Sequence, residues 1–85
     1  MYNYKEEREK IFTEQGQKLF IKIRDKSKEL LYISGAFRLD KVIEGCLGNS
    51  WVMLACIDYL VETKEIIEVN KDQEIAAQHR VFVKG

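Results

Sequence analysis

The chain has no proline, one histidine, one tryptophan and two cysteines in 85 residues, and each scarcity removes a class of chemistry. Cys46 and Cys56 have nine residues between them and no histidine nearby. Neither a zinc spacing nor a disulfide framework is available, so both are read as reduced thiols acting as small hydrophobes. The single histidine, His79, falls in a strand beside Arg80, with no Ser, Cys or Asp spaced to build a triad or a metal site around it. The glycines at 16, 35, 45, 48 and 85 form no phosphate-binding loop. Catalysis is therefore not expected, and neither a cofactor nor a metal is expected. The acidic pairs Glu6, Glu7 and Glu65, Glu68 read most simply as solvated faces. Long apolar runs are missing too: the longest without a charge, 51–57, is far short of the roughly 20 residues of a membrane span. The first ten residues are dense in charge from Lys5 onward and lack the apolar core of a secretory signal, which points to a cytoplasmic protein.

Net charge is absent as well, with fourteen basic and fourteen acidic residues, but the balance is uneven. Residues 1–14 carry three basic and four acidic groups, 15–43 seven and three, and 44–85 four and seven. The middle is positive and the C-terminal half negative. A chain of this length is read as one domain with a small core that needs no staples.

What is present is organised around the run 49–64, N-S-W-V-M-L-A-C-I-D-Y-L-V-E-T-K, which neither proline nor glycine interrupts. Asn49 and Ser50 offer side-chain oxygens to the orphan amides of a helix start. At a hundred degrees per residue Met53, Ile57, Leu60 and Val61 share one side, with Leu54 and Cys56 at its margins, and that side is core. The opposite side collects Trp51, Ala55, Asp58, Tyr59 and Glu62, with Val52 beside them. It is aromatic and acidic, and no Lys or Arg occurs before Lys64.

Ahead of this run, residues 2–12 have a mixed pattern, either a short helical stripe or an arm laying Ile11 and Phe12 on the core. Thr13 reads as an N-cap and 14–34 as a long helix, with Leu19, Phe20, Ile23, Ser27, Leu30 and Leu31 as its buried stripe. Lys18, Lys22, Arg24, Lys26 and Lys28 project from the rest. A core stripe accounts for these residues more simply than a membrane-surface helix does. Small Gly16 and Ser27 suit a close helix crossing, and Gly35 stops the helix. Residues 36–39 read as an extended link or a short strand. Asp40 is expected to cap a brief helix over 41–46, and Gly48 to take the positive φ of a tight interhelical turn. After Lys64 the period drops to two. A strand over 65–69 places Ile67 and Val69 on one face, 70–74 is a polar tip, and a return strand spans 78–84.

Helix, short strand, helix, turn, helix and two-stranded hairpin is an order that resembles the winged helix-turn-helix superfamily over residues 13–85, with 1–12 as an N-terminal arm. The resemblance rests on the apolar spacing of Met53, Ile57 and Leu60, the corner Glu62-Thr63-Lys64-Glu65 and the strand begun by Ile66-Ile67. It implies an α+β fold, mostly α: a three-helix core with a C-terminal two-stranded β-hairpin wing. Family members usually carry Gly where Thr63 or Lys64 stands here.

The resemblance implies DNA binding by default, through the third helix and the wing. In this chain Asn49, Ser50, Lys71, Arg80 and Lys84 would make those contacts, helped by Lys18, Lys22 and Lys26. Base readout wants Arg, Lys, Asn or Gln on the exposed face of the helix, whereas Asp58 and Glu62 would repel phosphates. The reading favoured on these residues is a protein-interaction subunit or adaptor, within an assembly that itself handles nucleic acid. Its seat would be Trp51, Val52, Ala55, Asp58, Tyr59 and Glu62, rimmed by acid and suited to a basic partner. The alternative for the aromatics is structural, with Trp51 folded back onto the second helix and Tyr59 covering the wing. A homodimer is a further option, and no membrane partner is expected.

Overall fold

The computed structural model describes residues 2–44, 46, 48–69 and 80–85. The chain is α+β and mostly helical, in the order α1 (Tyr4–Ile11), α2 (Glu14–Ser34), β1 (Ala36–Arg38), α3 (Leu39–Ile43), α4 (Ser50–Glu62), β2 (Ile66–Glu68) and β3 (Val81–Lys84). The expected tip at 70–74, residue 78, and with them Lys71 and His79, lie outside the described residues, as do Gly45 and Leu47.

Residues 2–12 take the helical alternative. Asn3 caps α1, its side chain accepting from the amides of Lys5 and Glu6 at 3.0 and 3.4 Å. Glu6 and Glu7 stand in the first turn, where the helix dipole favours them. Thr13 caps α2 through a 3.0 Å bond from the Gly16 amide, and Gly35 closes it at φ 77, donating to the Leu31 carbonyl at 2.8 Å. The expected stripe of α2 faces inward, with Phe20, Ile23 and Ser27 buried and Leu19, Leu30 and Leu31 half-buried against the core. A Cβ at Gly16 would stand 1.9 Å from the Lys10 carbonyl oxygen, so glycine is what lets the end of α1 cross the start of α2 this closely.

The short helix departs from expectation. It starts at Leu39 and ends at Ile43 rather than covering 41–46, and Arg38 occupies the cap position without a side-chain bond. The Leu39 amide is already taken by the Arg80 carbonyl at 2.8 Å, and its side chain is fully buried, so the chain turns helical two residues early. Asp40, the expected cap, instead receives Arg38 Nη2 at 3.0 Å. Gly48 does adopt a positive φ, 146, and Asn49 caps α4, its Oδ1 accepting from the Trp51 amide at 2.8 Å.

The sheet has three antiparallel strands in the order β1-β3-β2, correcting the two-stranded hairpin that the sequence suggests. β1 joins because Phe37 pairs with Phe82 across the ladder and stacks on it, ring centroids 5.4 Å apart, with both side chains buried. On the other side Ile67 faces Val83. Ile66 turns into the core, while Ile67 and Val69 share the exposed face. Lys64 makes the corner between α4 and β2 at φ 65, a left-handed conformation in which a side chain costs about 1 kcal/mol.

Candidate functional site

α4 is buried on more than one side. Met53, Ile57 and Leu60 supply the expected core stripe, and Cys56 is buried with them. Burial pushes the Cys56 thiol up to about 12, so it stays protonated and unreactive. Val52 and Ala55, expected on an open face, are 8% and 0% exposed. The reason is α1, which packs along α4 and sends Ile11 into the core.

The acidic aromatic face has therefore met its basic counterpart within the chain. Tyr4 Oη donates to Glu62 Oε2 at 3.0 Å, and Arg8 Nε reaches the same oxygen at 3.0 Å. The Arg8 guanidinium lies over the rings of Tyr59 and Phe12, 5.2 and 5.4 Å from their centroids. Tyr59 in turn meets Phe12 and Phe20 edge-on, each at 5.5 Å. The Arg8 bond, together with that from Tyr4, holds the Glu62 carboxyl below its ordinary pKa. Burial and the bond to Glu62 push the Tyr4 hydroxyl up to about 12.

One turn earlier on α4 a second cluster forms around Asp58. Tyr2 Oη donates to Asp58 Oδ2 at 2.6 Å, while Arg80 Nη2 donates to Oδ1 at 2.8 Å. Arg80 also grips Glu68 with a two-pronged fork, Nε to Oε2 and Nη2 to Oε1, both at 3.0 Å. Burial works against the charge on Arg80, but the bonds to Glu68 and Asp58 outweigh it and raise its pKa above the ordinary value.

Of the residues expected to bind a protein partner, Trp51 alone keeps a large apolar surface in the open, 41% exposed. Val52 and Ala55 are internal. Asp58, Tyr59 and Glu62 are engaged by Tyr2, Arg80, Arg8 and Tyr4. Among the residues expected to touch nucleic acid, Asn49 spends its side chain on the cap, Ser50 and Lys84 are exposed, and Arg80 is neutralised by two carboxylates. The sequence reading missed Tyr2, Tyr4 and Arg8 as partners of α4, and Glu68 as the partner of Arg80. The signal for the first three was available, since a helix whose apolar residues fall on all sides expects cover all round.

Of the concave surfaces among the described residues, two lie at the ends of α2. A cleft of about 350 Å³ lies between the N-terminal ends of α2 and α4, with Leu19 and Val52 among its walls and Lys10, Gly48 and Asn49 at its edges. A groove of about 710 Å³ lies at the opposite end of α2, lined by Lys28, Leu31, Tyr32, Glu65, Lys84 and Gly85. Among the described residues no three His, Cys, Asp or Glu side chains gather as a metal site, and no helix is long and apolar enough to cross a membrane. No family model, curated protein or solved structure matches the chain.

Proposed function

We propose that this chain is a non-enzymatic protein-interaction module, a subunit or adaptor, built on a winged-helix plan to which α1 has been added. The order α2, β1, α3, α4 and the strands β2 and β3 supports the plan. The observation that carries the functional reading is the occupation of the outer face of α4 by α1. A helix that reads base edges needs that face bare in the major groove. Here Tyr2, Tyr4 and Arg8 stand on it, and Arg80, the cation best placed beside it, is already paired. Trp51 stays open at the N-terminal end of α4, where a buried aromatic anchor would be worth most to an interface.

The competing reading, a DNA-binding regulator, would rely, among the described residues, on Lys84 and the exposed lysines of α2, Lys18 and Lys22. Affinity capture from nuclease-treated lysate, with wild type and Trp51→Ala run side by side, separates the two. A protein retained after nuclease and lost with Trp51→Ala is the expected result. Recovery of nucleic acid, or of proteins that disappear on nuclease treatment, would overturn the reading. Binding that weakens steeply as salt rises would count against it in the same way.

A further inference from the structure

The groove at the C-terminal end of α2 combines three features. The first is uncovered apolar surface: Tyr32 is 92% exposed and the neighbouring Ile33 68%, while Leu31 forms part of the groove wall. A tyrosine this bare at the edge of a concave surface contributes little to the fold. Its flat ring loses little entropy when a ligand covers it.

The second is uncompensated positive charge. Lys28 and Lys84 flank the groove from α2 and from the end of β3, and neither has a carboxylate within salt-bridge distance among the described residues. Arg24 lies one turn before Lys28 on the same side of α2. Its Nε is buried without a hydrogen-bond partner, and the nearest carboxylate, that of Asp25, is 4.0 Å away. The Arg24 guanidinium lies over the Phe20 ring, 5.8 Å from its centroid, so the cations at the groove itself are Lys28 and Lys84, edged by the apolar surface of Leu31 and Tyr32. The third feature is size. A volume of about 710 Å³ lies in the range of binding pockets, which run from about 300 to about 1,000 Å³.

We infer that this groove binds an acidic peptide segment of a protein partner, with an apolar side chain laid against Leu31 and Tyr32 and its carboxylates facing Lys28 and Lys84. The inference rests on the reading of the chain as an interaction module and gives that module a second surface, at the end of α2 remote from Trp51. Glu65 in the groove wall favours a peptide over nucleic acid, because one carboxylate among the cations penalises a continuous phosphate chain more than a ligand of spaced charges.

The test is an amide-shift titration of the full chain with synthetic peptides of about eight residues. One carries Asp and Glu around a single Leu, and its counterpart has Lys at every acidic position. Saturable shifts confined to Lys28, Leu31, Tyr32, Lys84 and Gly85 with the acidic peptide alone are expected. Lys28→Glu with Lys84→Glu should weaken binding by at least about tenfold, and Tyr32→Ala should weaken it with the charges intact. All three side chains are exposed, so these variants keep their fold. Equal binding of both peptides, or an acidic peptide that ignores the charge reversal, overturns the inference. So does a short DNA duplex that saturates the same amides more tightly than the peptide, or a dimer of the protein alone that buries them. Trp51→Ala, titrated in parallel, should leave the peptide affinity unchanged. Failure of the Trp51 surface and failure of the groove are then read out separately.

Discussion

Two arginines from distant parts of the chain hold two carboxylates of one helix, and a tyrosine from the N-terminal segment completes each set. Arg8 and Tyr4 meet at Glu62; Arg80 and Tyr2 meet at Asp58. Each guanidinium also lies over an aromatic ring, Arg8 over Tyr59 and Arg80 over Phe82, both at 5.2 Å. The chemistry is the same and the setting is not. Arg80 and its carboxylates are largely shielded and its Nε and Nη2 are both engaged, whereas Arg8 and Glu62 stand half in water. Solvent screens the second set and leaves the first as a structural joint between α4, β2 and β3.

Arg80→Ala should break this contrast most severely. It strands Asp58 and Glu68 together, and a loss of about 3 kcal/mol is expected in urea unfolding at neutral pH. A loss near that of Arg8→Ala would mean that burial does not distinguish the clusters. Gly16→Ala attacks what the two share. The new methyl collides with the Lys10 carbonyl, pushing α1 off α4 and with it both tyrosines. A net cost of about 2 kcal/mol is expected even after about 1 kcal/mol of helix propensity is regained, with faster hydrogen exchange across α1 as the local readout. Tyr2→Phe removes the 2.6 Å bond to Asp58 and should cost about 1 kcal/mol, more than Tyr4→Phe in the same thermal melts.

Smaller still is the effect at Glu62. Its pKa in the folded chain lies below the ordinary 4.5. Its stabilisation is therefore present above 4.5 and lost as pH falls through the lower folded value. The melting-temperature gap between wild type and Glu62→Gln should be open at neutral pH, shrink with added salt and close as pH falls below the ordinary 4.5 and through the lower folded value. A gap that survives strong acid would mean that the carboxylate charge is not what Arg8 binds. Lys64→Gly touches neither cluster. Relief of the left-handed strain should outweigh the added unfolded-chain entropy, giving about 0.5 kcal/mol of stabilisation with both arginine contacts unchanged by NMR.

Elements defined by local chemistry were legible. Thr13, Gly35, Gly48 and Asn49 act as the caps and turns that their residue types suggest, and the α2 stripe is internal as its spacing requires. The third strand was half visible, because three residues give too short an alternation to tell a link from a strand, and Phe82 decides the matter from far along the chain. That α4 needs cover was legible in its all-round apolar residues, but the element that supplies it was not. α1 brings mainly Ile11 to the core and holds on otherwise through polar tips, so its own periodicity is faint. Val52 and Ala55 looked exposed only because their partner lies outside the window in which a helical period is counted. Arg80 looked like a phosphate contact for the same reason, since its two carboxylates stand 12 and 22 residues away.

The distance between α1 and its seat also sets an order of events during synthesis. Tyr4 and Glu62 are separated by 58 positions, so α1 leaves the ribosome well before the helix on which it docks. At about 5–20 residues per second, α1 waits several seconds for α4 to be made. Ile11 and the apolar side of α2 stay uncovered through that interval. In the folded chain the close approach of α1 to α2 at Gly16 is made without α4, whose arrival completes the core.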